Sequence, residues 1–217
     1  MELAIFDLDN TLLGGDSDYL WGRFLVRKGL VDGETYERAN QRFYEQYKAG
    51  TLDIHEFLRF SLKPLTEHRP ETLEAWHRIF MEEMIEPIIL PKARALVERH
   101  RNEGRRPLII TATNRFVTAP IAAAFGIEDI LATDPEQVNG RYTGNVAGLP
   151  CFQEGKVERL KAWLDETSLT LKGSWFYSDS QNDLPLLEQV EHPVAVDPDD
   201  TLAETARARG WEILSLR

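Results

Sequence analysis

The sequence predicts an α/β fold: a parallel sheet with helices on both faces, and a helical insertion after the first strand. Short apolar runs alternate with longer amphipathic segments, as expected when buried parallel strands are joined by crossover helices. Five runs are predicted as strands, at residues 3–6, 108–110, 175–177, 194–196 and 212–214. Helices are predicted between them at residues 91–103, 116–125, 155–164, 184–190 and 201–209.

Two segments depart from this alternation. Asn139-Gly140 stands between the apolar residues Val138 and Tyr142, which predicts a tight hairpin. The connection after the first strand, residues 14–87, is far longer than a crossover needs and is therefore predicted to be a folded insertion. It shows helical patterns at residues 19–28, 34–49, 54–62 and 70–84, and its aromatic side chains are sufficient for a small helical core.

The composition is that of a globular protein. The chain has 217 residues, of which 42% are hydrophobic and 28% charged, so collagen-like, disordered and disulfide-rich classes are excluded. The net charge of −11 argues against nucleic acid or an anionic membrane as a partner. Cys151 is the only cysteine and no signal segment is visible, which together predict a cytoplasmic protein.

The strongest functional signal follows the first predicted strand, in the segment Asp7-Leu8-Asp9-Asn10-Thr11. Ligands of open parallel sheets bind at the carboxyl ends of the strands, which places Asp7 at such an edge and Asp9 two residues into the loop. Two carboxylates this close need a cation or a shared proton. Asp and Asn also favour turns, so this segment alone leaves a purely structural role open.

Other polar residues are predicted at the same edge of the sheet. Thr111 ends the strand 108–110, Asp179 comes just after the strand 175–177, and Asp183 caps the helix that follows. Lys156 opens the helix 155–164, from which its ammonium group could point back at the strand ends.

Taken in order, Asp7-x-Asp9-x-Thr11, Thr111, Lys156, and Asp179 with Asp183 resemble the motifs of haloacid dehalogenase superfamily phosphatases. The resemblance is to the branch that includes phosphoserine phosphatase, and it covers the whole chain. It implies a Rossmann-like core formed by residues 1–14 and 88–217, with residues 15–87 as a helical cap.

The resemblance also implies roles for the residues of the core. Asp7 would be the nucleophile and Asp9 the general acid and base. Mg²⁺ would be held by Asp7, the backbone carbonyl of Asp9, and Asp179, with Asp183 in support, a hard oxygen shell that suits this ion. The remaining motif residues would bind the phosphoryl group: Thr11, Thr111, Lys156 and Asn182.

The cap is expected to select the substrate, a small phosphorylated metabolite. By comparison with the phosphoserine enzymes, Asp16 occupies the position that binds an amino group, whereas Ser61 stands where an arginine for the carboxylate is expected. Arg59 and Arg23 are the candidate replacements for that arginine. An amine without a carboxylate fits this pattern better, and histidinol phosphate is therefore favoured over phosphoserine.

Aromatic residues of the cap, Tyr19 and Trp21 among them, are expected to contact the imidazole of histidinol phosphate. A different class of protein stays open as the alternative. Receiver-like phosphoacceptors also carry strand-end aspartates that bind Mg²⁺, although the long insertion argues against them. A phosphotransferase that uses an acceptor other than water is also compatible with the sequence.

Overall fold

The structure is a computed structural model that covers residues 1–217. Its centre is a six-stranded sheet in the order β3-β2-β1-β6-β7-β8, with all neighbouring strands parallel. These strands are β1 (Leu3–Phe6), β2 (Arg106–Asn114), β3 (Asp129–Thr133), β6 (Trp175–Ser178), β7 (His192–Val196) and β8 (Glu212–Leu214); β4 (Pro135–Val138) and β5 (Arg141–Val146) form a separate antiparallel hairpin.

Nine α-helices surround the sheet or belong to the insertion. They are α1 (Ser17–Arg27), α2 (Gly33–Lys48), α3 (Ile54–Thr66), α4 (Pro70–Phe80), α5 (Pro91–Asn102), α6 (Arg115–Ala124), α7 (Glu154–Thr167), α8 (Leu184–Leu187) and α9 (Asp200–Arg209). A π-helical turn at Met81–Ile85 extends α4. No helix of the molecule has both the length and the apolar content to cross a membrane.

The predicted α/β fold is confirmed, with one strand missed. β3 begins with a charged residue, Asp129, and contains a short apolar run. It lies at the edge of the sheet and pairs only with β2, so its first residues are half-buried and do not show the apolar pattern of a central strand. The hairpin predicted at Asn139-Gly140 is present, and both residues adopt the left-handed conformation that its turn requires.

The insertion leaves and re-enters the sheet layer at adjacent points. Leu13 and Ile89 form an antiparallel bridge, and the amide of Gly14 donates to the carbonyl of Ile88 at 2.7 Å. The four helices α1 to α4 lie between these two crossing points. The ends of the insertion are therefore fixed side by side near the carboxyl end of β1.

The insertion does not keep its apolar residues in a core of its own. Trp21, Phe24 and Phe80 belong to the same buried cluster as Phe6 of β1 and Ile109 of β2. A smaller cluster around Leu58, Leu62, Leu65 and Leu73 is covered by Tyr142 and Val146 of the β4–β5 hairpin. The expectation of a self-contained helical core was therefore only partly right, because α1 and α4 pack on the sheet layer and α3 packs on the hairpin.

Candidate active site

The loop after β1 places two carboxylates at the carboxyl edge of the sheet. The amide of Asp7 donates to the carbonyl of Tyr177 at 2.9 Å and so continues the pairing of β1 with β6. The chain then turns, with the amide of Leu12 donating to the carbonyl of Leu8 at 2.9 Å. Both carboxylates of this loop are buried: Asp7 is 3% exposed and Asp9 is 7% exposed.

The Asp9 carboxylate faces the cap and β2. Its Oδ1 accepts a hydrogen bond from the amide of Ser17 at 2.6 Å, and its Oδ2 accepts one from the Thr113 hydroxyl at 2.8 Å. Both oxygens are therefore held in place by the protein. The Asp9 side chain also lines the pocket that contains Asp7 and Thr111.

Lys156 supplies the buried positive charge of the site. Its Nζ lies 2.8 Å from Oδ1 of Asp7 and 2.8 Å from Oδ2 of Asp183, and the side chain is almost fully buried. A tight turn at the start of α7 brings the lysine there. A Cβ atom on Gly155 would lie 2.1 Å from the carbonyl oxygen of Pro150, so only glycine fits immediately before Lys156.

The segment after β6 contributes two further carboxylates. Oδ1 of Asp179 accepts from the Thr11 hydroxyl at 3.2 Å, which connects this segment to the loop after β1. Oδ2 of Asp183 accepts from Ser178 Oγ at 2.7 Å as well as from Lys156. The carboxylate of Asp183 is therefore saturated by protein donors, whereas that of Asp179 has one.

Burial and mutual repulsion shape the ionisation of these carboxylates. Desolvation raises the pKa of Asp7 to about 7 against the opposing effect of Lys156. Desolvation also raises the pKa of Asp9 to about 7, and it raises the pKa of Asp179 well above its ordinary value. Burial alone would lower the pKa of Lys156, but the neighbouring carboxylates of Asp183 and Asp7 raise it, so the ammonium group stays protonated.

The residues at this edge fit a divalent cation. Oδ2 of Asp7 is buried and has no hydrogen-bond partner, and Asp179 accepts only the hydroxyl of Thr11. No group of three or more His, Cys, Asp or Glu side chains has the arrangement of a metal site by itself. Both carboxylate oxygens of Asp9 already accept hydrogen bonds from Ser17 and Thr113, so an ion here would need a backbone carbonyl and water besides the two carboxylates of Asp7 and Asp179.

A pocket extends from the carboxylates of Asp7 and Asp9 into the cap. Its walls combine acidic side chains with aromatic rings, and neither lysine nor arginine lines it. Besides Asp7, Asp9 and residues of β2, the pocket is lined by Asp16, Asp18, Tyr19, Asn40, Phe43, Tyr44, Tyr47, Leu52, Ile54 and Phe57. The pocket thus has a negative, ring-lined interior.

Asp16, the predicted amine-binding residue, lies in this pocket at the start of α1. Its Oδ1 accepts from the amide of Tyr19 at 2.8 Å, which caps the helix. Burial raises the pKa of Asp16 to about 6. Tyr19, the predicted ring contact, also lines the pocket and packs against Tyr44 with 4.8 Å between ring centroids.

The structure does not bring three other predicted cap residues to the pocket. Trp21 is 1% exposed and packs between Phe24 and His77 in the apolar core. Arg23 is exposed on α1. Arg59 is exposed on α3, where it lines a different depression beside the hairpin.

Ser61, the position at which an arginine was expected, is buried at 4% exposure, and its hydroxyl has no hydrogen-bond partner. The pocket therefore has no arginine in the expected place and none from the two candidate replacements.

Like Lys156, the other three predicted phosphate-binding residues already contact protein groups. The Thr11 hydroxyl donates to Asp179, and Thr111 Oγ accepts from the amide of Thr113 at 3.2 Å. The side-chain Nδ2 of Asn182 donates to the backbone carbonyl of Tyr47 at 3.1 Å, and its Oδ1 accepts from Nε2 of Gln153 at 3.0 Å. Asn182 thus connects the cap to the core, and its phosphate-binding role stays a prediction.

Several residues of the site were missed in the sequence, and Thr113, Ser178 and Asp18 are the polar ones among them that contact or neighbour its carboxylates. Thr113 follows Thr111 by two positions on β2, and the strand period of two could have indicated that both face the same ligand. Ser178 is the last residue of β6 and resembles an ordinary strand end. In the sequence, Asp18 looks like one of the acidic residues that commonly occupy the first turn of a helix. Only the packing of the cap shows that it is buried.

Comparison with known proteins agrees with this geometry. The family model of haloacid dehalogenase-like hydrolases matches residues 4–188, and the chain belongs to this family. The solved structure of a protein of unknown function from Bordetella pertussis Tohama I is 46% identical, with a TM-score of 0.94 over 100% of this chain and 99% of that one. A substrate-bound phosphoserine phosphatase, 17% identical, has the same fold with a TM-score of 0.73 over 100% of this chain and 93% of that one.

Two relatives with assigned activities are similar along nearly the whole chain. Histidinol-phosphatase of Neisseria meningitidis serogroup C (strain 8013) is 48% identical over 99% of both chains. Phosphoserine phosphatase SerB1 of Mycobacterium tuberculosis is 33% identical over 99% of this chain and 70% of its own length. The chain is accordingly a phosphomonoester hydrolase.

Proposed function

We propose that the protein is a Mg²⁺-dependent phosphatase of histidinol phosphate that acts through an aspartyl-phosphate intermediate. The observation that carries the choice of substrate is the lining of the pocket, to which the cap contributes two carboxylates and five aromatic rings but no lysine or arginine. Histidinol phosphate presents an ammonium and an imidazole to such walls and has no carboxylate that would need a cation.

In the proposed reaction, Asp7 is the nucleophile and Asp9 the proton carrier. A carboxylate oxygen of Asp7 forms a bond to phosphorus while the bond from phosphorus to the substrate oxygen breaks. The carboxylic acid of Asp9 gives its proton to the leaving oxygen, which yields the alcohol. Water then attacks the aspartyl phosphate, Asp9 takes its proton, and inorganic phosphate leaves with Asp7 restored.

The fixed groups around Asp7 support this assignment. Lys156 holds Oδ1 of Asp7 at 2.8 Å, so the nucleophile has one orientation. The bonds from Ser17 and Thr113 hold the Asp9 carboxyl in the same pocket. Thr111, Lys156 and the amides of the loop after β1 are proposed to bind the phosphoryl oxygens.

Mg²⁺ would be held by Asp7, the backbone carbonyl of Asp9, and Asp179, with Asp183 in support. The ion would neutralise negative charge on the carboxylates and on the phosphoryl group. The buried, unpartnered Oδ2 of Asp7 supports this site. Asp183 accepts from both Lys156 and Ser178, which favours a supporting role for it over direct contact with the ion.

The structure favours histidinol phosphate over phosphoserine for an electrostatic reason. A buried carboxylate is costly unless a charged donor pairs with it, and no arginine or lysine lines the pocket. The 48% identity to a histidinol-phosphatase supports the same choice. The 33% identity to a phosphoserine phosphatase keeps phosphoserine as the second candidate.

We also propose that two parts of the chain have separate functions, catalysis and substrate selection. Residues 1–14 and 88–217 would carry out the chemistry, and residues 15–87 would form the cap that selects the substrate. The bridge between Leu13 and Ile89 supports these boundaries, because the chain leaves and re-enters the sheet layer there.

The test compares kcat/KM for L-histidinol phosphate and phosphoserine by phosphate release in the presence of Mg²⁺. We expect histidinol phosphate to be favoured by roughly 10- to 100-fold, which corresponds to the loss of one hydrogen bond to a charged group. EDTA should abolish the activity and added Mg²⁺ should restore it. A preference for phosphoserine would contradict the substrate, and full activity after exhaustive chelation would contradict the metal.

A further inference from the structure

The cap pocket contains a carboxylate that the proposed chemistry leaves without a function. Asp18 lies in the first turn of α1, lines the pocket and is 8% exposed. Its Oδ2 is buried and has no hydrogen-bond partner. A buried carboxylate with an unsatisfied oxygen is costly, so a structural explanation would require a partner within the protein.

The neighbouring acids differ from Asp18 in this respect. Both carboxylate oxygens of Asp9 accept hydrogen bonds from the protein. Asp16 caps α1 through its bond from the amide of Tyr19. Oδ2 of Asp7 also lacks a partner, but it lies at the catalytic edge, where the proposed cation accounts for it. Asp18 is therefore the acid of the cap whose partner is missing from the protein.

The walls of the pocket offer Asp18 no cationic partner. The residues lining the pocket include no lysine, arginine or histidine. They do include Tyr19, Phe43 and Tyr44, whose rings can pack against a flat or cationic group. A substrate group that satisfies Asp18 must donate an N–H and carry positive charge, because a neutral donor would leave the buried charge uncompensated.

We propose that Asp18 is a specificity-determining residue that accepts a hydrogen bond from a positively charged nitrogen group of the substrate. The inference rests on the proposed function, since histidinol phosphate has two such groups, an ammonium and an imidazole that can protonate. Asp16 and Asp18 would then bind the nitrogen-bearing end together, while the catalytic edge binds the phosphoryl end.

The electrostatics of the pocket agree with this role. Burial, followed by the charges of Asp16 and Asp9, raises the pKa of Asp18 well above its ordinary value. A cationic group of the ligand would oppose each of these effects. Asp18 therefore gains more from a charged ligand than an exposed acid would.

The test uses Asp18→Asn, which keeps the shape and removes the charge. We expect kcat/KM for L-histidinol phosphate to fall roughly 10- to 100-fold, whereas p-nitrophenyl phosphate, which has no cationic group, changes less than about 2-fold. Inhibition by L-histidinol should weaken by a similar factor. Phosphoethanolamine identifies the nitrogen: a parallel loss indicates the ammonium, and no loss indicates the imidazole.

A matched control is Asp200→Asn, an acid in the first turn of α9 that is exposed to solvent. It should leave all three substrates unchanged. The Tm of Asp18→Asn should equal or exceed that of the wild type, because an unpaired buried charge has been removed.

An equal loss for all three phosphomonoesters, or unchanged kcat/KM for histidinol phosphate, would overturn the role of Asp18. These outcomes differ from a failure of the proposed function, in which the wild type would prefer phosphoserine. In that case the same comparison is made between phosphoserine, which also has an ammonium group, and p-nitrophenyl phosphate.

Discussion

At the scale of single residues, the site has far more negative than positive charge. Lys156 is the buried cation among Asp7, Asp9, Asp179 and Asp183. Its ammonium group already donates hydrogen bonds to Asp7 and Asp183. A phosphate dianion entering this region would be repelled unless further positive charge accompanied it. The proposed Mg²⁺ supplies that charge, which explains why so many acids can converge at a site for an anion.

The first prediction concerns Asp7→Asn. The amide keeps the shape but cannot form the acyl phosphate, so turnover should fall at least ~10³-fold. Folding should be preserved, because Lys156 retains both oxygens of Asp183 as partners. Phosphate release gives the rate, and thermal unfolding followed by circular dichroism gives the stability.

Asp165→Asn is a suitable control for this variant, since Asp165 is exposed on α7. It should be as active as the wild type. Turnover of Asp7→Asn within a few-fold of that of the wild type would rule out the aspartyl-phosphate mechanism.

At the scale of elements, the cap is attached to the core through the end of α2. The last carbonyls of a helix lack partners within the helix. Here the side-chain Nδ2 of Asn182 donates to the backbone carbonyl of Tyr47. The side-chain Nε2 of Gln181 donates to the backbone carbonyl of Lys48 at 3.3 Å. The loop that carries Asp179 therefore also closes the end of a cap helix.

The second prediction concerns this attachment. Asn182→Ala removes the bonds to Tyr47 and Gln153 and should raise KM roughly 3- to 10-fold, with a smaller change in kcat, because the end of α2 is then held less firmly against the core. Steady-state kinetics with L-histidinol phosphate separates the two constants.

Gln181→Ala provides the comparison, because its bond is longer and exposed. Its effect on KM should stay below about 2-fold. If Asn182→Ala instead slowed turnover by roughly 100-fold or more and left KM unchanged, the result would favour direct contact between Asn182 and the phosphoryl group, the role that the sequence predicts.

At the scale of the whole molecule, one buried histidine connects the helical layer to the sheet. His100 of α5 is fully buried beside Tyr177 of β6. Arg105 can only donate, so the contact of 3.1 Å from its Nη1 makes Nδ1 of His100 the acceptor. The proton of the neutral ring is then on Nε2, which donates to the Tyr177 hydroxyl at 2.7 Å.

The third prediction follows from the acid–base behaviour of this ring. Burial, with the charges of Arg105 and Arg99, lowers the pKa of His100 to about 4. The ordinary value is 6.5, so the unfolded chain takes up the proton first as the pH falls. The contribution of His100 to the free energy of unfolding should therefore decrease between about pH 7 and pH 4, by at most ~3 kcal/mol.

Urea unfolding at several pH values, with His100→Gln beside the wild type, isolates this contribution. The variant should be less stable at pH 7 and should lose less stability on acidification. His55→Gln removes an exposed histidine and should follow the wild-type curve. Parallel curves for the wild type and His100→Gln would contradict the assignment.

The α/β class and a helical insertion after the first strand could be predicted from the sequence alone, and so could the convergence of Asp7, Thr111 and Asp179 at one edge of the sheet. Strands buried on both faces must be apolar throughout, and polar side chains directly after them must lie at their carboxyl ends. For that reason the positions of Asp7, Thr111 and Asp179 along the chain are sufficient to group them at one edge. β3 was missed because an edge strand is not under the same requirement.

Which cap residues reach the site depends on how the helices pack, and the sequence alone did not reveal it. Helical periodicity indicates that a helix has an apolar face, but it does not indicate what that face packs against. Trp21 therefore belongs to the core and not to the pocket, and Arg23 and Arg59 point to solvent. Asp18 became a candidate only when the packing of α1 and α2 showed it buried without a partner, since burial depends on contacts between segments distant in sequence.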